Sequence, residues 1–131
     1  MAEHPNAALL RKGYDAFSKG DMETIRGIFA EDIRWHITGD SSLSGDYKGI
    51  DEVFGFFGKL ATEMDGGLSL KLHDILANDE HAVALIDSTS TRKGQSRNSR
   101  AVHIWHVQGG KAVEFWDSPL DQAGDDAFLN S

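Results

Sequence analysis

The sequence contains no cysteine, which excludes disulfides, thiol nucleophiles and thiolate metal sites and leaves the redox compartment open. It has no run of about 18 apolar residues, so no membrane-spanning helix is expected. The start, Met1-Ala-Glu-His-Pro5, lacks the basic and apolar regions of a secretory signal. Basic side chains are in the minority, with 13 Lys plus Arg against 21 Asp plus Glu and a formal net charge of -8. Nucleic acid and anionic membrane surfaces are therefore not expected partners, and a soluble, cytoplasmic protein is the expectation. The H-E-x-x-H, G-x-S-x-G and G-x-G-x-x-G motifs are all missing, and no metal or cofactor is expected.

What is present is an ordinary globular composition, 40% hydrophobic and 26% charged over 131 residues, which fits one domain spanning residues 1–131. Asn6 is a candidate cap for a first helix whose apolar positions Leu10, Tyr14 and Phe17 recur at helical spacing until Gly20. Asp21 is the next cap, and Ile25, Ile28 and Phe29 form one face of a second helix. From Ile33 the pattern alternates, with Trp35 and Ile37 on one side and Arg34 and His36 on the other, predicting a strand. The Gly39–Gly49 stretch reads as a loop.

Val53, Phe54, Phe57, Leu60, Ala61 and Met64 then predict a third helix, ended by Gly66-Gly67. Within it Gly55 and Gly58 are unfavourable, which close packing against a neighbour would offset. Four strands follow: one around Leu68–Leu72, one to about Arg92, one over about Ser96–Val107, and one over Ala112–Asp117. The acidic segment Asp121–Ser131 either frays or forms a short terminal helix. Helices followed by consecutive hairpins indicate an α+β fold, a curved antiparallel sheet with three helices from the N-terminal half on its concave face. A cone of this kind leaves a cavity at its wide end.

The strings Tyr14-Asp-Ala-Phe-Ser-Lys-Gly-Asp21, Ile28-Phe-Ala-Glu-Asp-Ile-Arg-Trp-His36, Leu43-Ser-Gly-Asp-Tyr-Lys-Gly49 and Gly110-Lys-Ala-Val-Glu-Phe-Trp-Asp117 resemble the SnoaL-like branch of the nuclear transport factor 2-like superfamily. The resemblance implies a cystatin-like cone, an apolar pocket for a small apolar molecule, and a homodimer packed through the outer sheet face. It does not fix the reaction, because relatives include isomerases, cyclases, hydrolases and non-catalytic binding domains. Against ketosteroid isomerases, Tyr14 matches the oxyanion-binding tyrosine. In an ungapped match, however, the proton-transferring aspartate falls on Ile37 and the second acid on Val102. Against epoxide hydrolases, Asp117 resembles the last-strand aspartate and Arg100 could match the arginine, while the intervening acid again falls on Val102.

Alternation sorts the remaining candidates. The resemblance favours Val102, Ile104 and His106, and Val113, Phe115 and Asp117, as pocket-facing, with His103, Trp105 and Val107 on the other face, where Trp105 and His103 cover an outward apolar patch consistent with a dimer. His103 and His106, three apart on a strand, then point to opposite faces and do not chelate a metal together. Asp117 ranks first as a catalytic acid or base, because a carboxylate among Val113 and Phe115 is partly desolvated. His106 is its candidate partner and Tyr14 a candidate donor to a bound carbonyl. Trp35, Ile37, Val102, Ile104, Phe115 and Phe57 are the expected ligand-binding walls. Two readings stand together: an acid/base isomerase, cyclase or hydrolase acting on an apolar, oxygen-bearing substrate, or a binding or accessory domain that holds such a ligand unchanged.

Overall fold

The computed structural model describes residues 3–131. The order is α1 (Pro5–Ser18), α2 (Met22–Ile28), β1 (Phe29–Ile37), β2 (Gly45–Lys48), α3 (Ile50–Glu63), β3 (Gly67–Ala77), β4 (His81–Arg92), β5 (Gln95–Gln108), β6 (Lys111–Pro119) and α4 (Gln122–Leu129). This is the α+β arrangement expected.

Pro5 opens α1 because the first turn needs no N–H from it. His4 rather than Asn6 is the cap, its Nδ1 accepting the Asn6 backbone N–H at 3.1 Å. Ala7 and Leu10 are buried by the helical spacing, and Gly20, with φ +69°, makes the left-handed corner that stops the chain from continuing as helix. Asp21 then caps α2, its carboxylate accepting the Thr24 N–H at 3.2 Å. The helix ends at Ile28, and Phe29 already belongs to β1.

The six strands form one sheet in the order β2-β1-β6-β5-β4-β3. All neighbours are antiparallel except β1 and β6, which run parallel. The stretch expected as a plain loop contains β2, a short edge strand paired from Arg34↔Lys48 to Ile37↔Gly45. Its residues are exposed or only half-buried, so no hydrophobic alternation marks it. Register shifts interrupt the pairing between Phe29 and Arg34, between Leu72 and Asp74, and between His106 and Val107. Such bulges bend strands and strengthen twist, which curls the sheet around its helices.

The core lies between the concave face and α1, α2 and α3. Leu10, Ile33, Val53 and Val107 are its most completely buried large side chains. Around them packs an aromatic cluster, with Trp35 stacked on Phe115 at 3.8 Å between centroids and Trp105 edge-on to Phe115 at 4.6 Å. Among the described residues no helix is long and apolar enough to cross a membrane.

Gly55 and Gly58 depart from expectation. They lie on the exposed face of α3, and a Cβ at either would meet nothing within 4 Å. Close packing therefore does not offset their cost. Gly55→Ala and Gly58→Ala are each expected to stabilise the protein by roughly 0.5–1 kcal/mol, read as a raised midpoint in urea or thermal unfolding. Destabilisation by either would show a packing role that the open space around them contradicts.

Candidate functional site

The concave sheet face and the helices enclose a cavity of about 190 Å³ with predominantly apolar walls. Tyr14, Phe57, Trp35, Ile37, Phe115 and Asp117 all line it. Val102, Ile104 and His106 do not: they stand on the convex face. Ile104 is 37% exposed. His106 packs edge-on against Trp116 at 4.8 Å, lies beside the His81 ring at 4.9 Å and has Nδ1 3.6 Å from Glu114.

In their place β5 turns His103, Trp105 and Val107 inward, 9%, 4% and 1% exposed respectively. The reason is steric as well as apolar. Trp105 and His103 pair in register with Ala82 and Ala84 of β4, small residues that leave room on the concave face for the indole and the imidazole. The expected outward dimer patch of His103 and Trp105 is thereby corrected. On β6 a bulge at Val113 lets Val107 face Ala112 while His106 faces Glu114, which takes Val113 out of the series formed by Phe115 and Asp117.

The inverted parity creates the polar centre of the cavity. His103 and Asp117 are directly opposite each other on β5 and β6, and His103 Nε2 lies 3.3 Å from Asp117 Oδ1. Tyr14, reaching over from α1, has Oη 2.6 Å from His103 Nδ1 and accepts a hydrogen bond from Trp105 Nε1 at 3.0 Å. Burial raises the Tyr14 pKa well above the tyrosine range; the Trp105 hydrogen bond partly opposes this and the nearby Asp117 charge adds to it.

The phenol is therefore an O–H donor throughout the physiological range. With Trp105 donating to the phenol oxygen, we assign the phenol hydrogen to His103 Nδ1 and the imidazole hydrogen to Nε2, facing Asp117. With that arrangement the polar hydrogens of Tyr14, His103 and the Trp105 indole all have acceptors. It also means that the single hydroxyl hydrogen of Tyr14 is committed to His103, so Tyr14 positions the imidazole and is not a free donor for a carbonyl. Among the described residues Asp117 has no hydrogen bond to its carboxylate other than this contact. Among the described residues Trp35 Nε1 is buried without a partner. No group of three or more potential ligands among the described residues is placed to hold a metal ion.

The end of the cavity beside Asp117 is closed by α4. Gln122, Asp125, Asp126, Phe128 and Leu129 contribute to the walls, although no residue of α4 is fully buried. Polar contacts hold it. Arg97 Nε meets Asp125 at 2.8 Å and Arg97 Nη2 meets Asp121 at 3.1 Å. Ser99 Oγ donates to Asp125 at 3.0 Å, Thr38 Oγ1 to Gln122 at 2.6 Å, and the Asp40 N–H to Asp126 at 2.9 Å. The position of this helix over the cavity was not foreseen. The signal for it is the pair Phe128-Leu129 after an acidic stretch, an apolar turn at one end of a polar helix. Arg97→Ala is expected to loosen α4 by roughly 1 kcal/mol, read as amide exchange in 122–129 faster by about five-fold; unchanged exchange would show that Arg97 does not latch it.

On the convex face His36 Nδ1 lies 2.7 Å from Asp46 Oδ1 and His36 Nε2 lies 2.7 Å from Glu114 Oε2, the carboxylates being the acceptors. Partial burial lowers its pKa, but these two carboxylates outweigh that and raise it above the ordinary histidine value.

A family model for the SnoaL-like domain matches residues 10–115. An uncharacterized protein of Mycobacterium tuberculosis is 27% identical over 129 residues, 98% of this chain and 98% of that one. Among solved structures, Bal32a from a soil-derived mobile gene cassette has a TM-score of 0.91 at 28% identity, over 96% of this chain and 97% of that one. An NTF2-like protein from Burkholderia pseudomallei has a TM-score of 0.88 at 27% identity, over 98% of this chain and 99% of that one.

Proposed function

The chain belongs to the SnoaL-like domain family, and from that premise we propose that it binds a small, apolar, oxygen-bearing molecule in its cavity and acts on it by acid/base chemistry. The observation that carries the proposal is the run Asp117–His103–Tyr14 set into otherwise apolar walls. A carboxylate held by an imidazole, itself held by a third group, is the arrangement in which proton transfer is efficient. Asp117 is the catalytic residue: the carboxylate oxygen turned from His103 takes a proton from the substrate and returns it at another position. His103 and Tyr14 are positioning residues. Trp35 Nε1–H supports an oxygen-bearing ligand, since a carbonyl or hydroxyl oxygen would satisfy a buried donor that otherwise has no acceptor. Isomerisation, cyclisation and hydrolysis all fit this chemistry.

The second reading, a binding domain without turnover, is favoured by one feature. Tyr14 and His103 already satisfy each other, which leaves Asp117 as the one polar group of that chain open to a ligand. The two readings separate in a screen of ring-containing carbonyl compounds and epoxides, with binding followed by tryptophan fluorescence and turnover by mass spectrometry. For a compound that is turned over, Asp117→Asn is expected to lower kcat by at least ~100-fold with the thermal midpoint nearly unchanged. Full turnover by the variant would remove Asp117 from the mechanism, and binding with no turnover across the screen would favour the binding domain.

The same reading includes a cytoplasmic homodimer packed through the convex face. Exposed Ile104, with half-buried Val102 and Trp116 beside it, gives that face an apolar centre that no helix covers. Wild-type protein is expected to sediment as a dimer and Ile104→Glu as a monomer; a monomeric wild type, or a dimer indifferent to the charge, would contradict it.

A further inference from the structure

The charges of the cavity wall are all of one sign. Asp117, Asp125 and Asp126 line it, and no Lys or Arg does. Asp125 is neutralised from behind by Arg97 at 2.8 Å. Asp126 accepts only neutral donors, Gln122 Nε2 at 3.0 Å and the Asp40 N–H at 2.9 Å, and Asp117 has only the His103 contact at 3.3 Å. Two carboxylates thus face an apolar, weakly screening space with no cation of their own. The deeper wall is different. Along β1 and β6, which pair Trp35↔Phe115 and Ile37↔Asp117, Trp35 lies two residues further from α4 than Asp117. Its Nε1 is an orphan donor on a side chain 5% exposed.

Resting on the proposed ligand-binding role of this cavity, we propose that it selects by charge: it takes apolar molecules whose polar group is a hydrogen-bond donor, a hydroxyl or a protonated amine, and rejects those carrying a carboxylate, sulfate or phosphate. Such a group at the α4 end gives Asp117 or Asp126 a further donor beside the neutral ones each already has, whereas an anion there meets two like charges in a medium of low effective dielectric constant. The overall charge of -8 adds a same-sign field outside the mouth, but screening by salt makes that contribution secondary to the two wall carboxylates.

The test uses three compounds on one skeleton, phenylpropanol, phenylpropylamine and phenylpropionate, titrated into the protein. Binding is followed through the indole N–H resonances of Trp35 and Trp105 at moderate salt. The alcohol and the amine are expected to bind, and the propionate to bind at least ~10-fold more weakly than the alcohol. In Asp117→Asn and Asp126→Asn the amine should lose affinity and the gap between propionate and alcohol should narrow. Propionate binding as tightly as the alcohol, or an unchanged gap in both variants, would overturn charge selection and leave the cavity as a ligand site. If none of the three moved the indole resonances, the ligand-binding role and the selection built on it would both fall.

Discussion

The hydroxyl of Tyr14 joins three elements through one atom. It accepts from Trp105, donates to His103 on the same strand, and is carried by α1. Such a bond inside an apolar space has a strict consequence. Any of its partners turned to the other face would leave a buried polar group unsatisfied, at a cost of about 1–3 kcal/mol. The chain therefore fixes the inward parity of β5, and β5 fixes which side chain stands opposite Asp117. Folding and site assembly are in this sense the same event, because the register that buries Trp105 is the register that brings His103 to Asp117.

Much of the frame was legible in the sequence because its signals were local and strong. The helical spacing of Leu10, Tyr14 and Phe17, the cap at Asp21, the alternation from Ile33 and the glycine-marked turns of the meander place the elements within a few residues. Tyr14, Trp35, Ile37, Phe57, Phe115 and Asp117 follow from those elements, and they line the cavity. The face of β5 was not legible. Val102-His103-Ile104-Trp105-His106-Val107 carries apolar residues and a histidine on both parities, so alternation alone gives no preference. What decides is non-local: the alanines at 82 and 84 across β4, and the bulge at Val113 that offsets β6. The same limit hid β2, whose exposed residues carry no pattern, and the docking of α4, which depends on Arg97 and Ser99 far away in the chain.

Those two kinds of attachment give the cavity two kinds of wall. The inner wall of Trp35, Trp105 and Phe115 is close-packed and belongs to the core, so it has little freedom to adapt. The outer wall, α4, is held by ion pairs and hydrogen bonds of partly exposed groups, which are individually weak and sensitive to salt. Displacing α4 therefore costs less than deforming the sheet. Asp117 and Asp126 lie at this weakly held end, while the orphan indole donor lies at the close-packed one.

The proposed site depends on where the hydrogens lie between Tyr14, His103 and Asp117. Long-range proton–nitrogen NMR of the His103 imidazole reads this directly. The chain described here predicts an Nε2–H tautomer with Nδ1 unprotonated and shifted by the Tyr14 hydrogen bond. An Nδ1–H tautomer would break the link from α1 to Asp117 and contradict the proposed site.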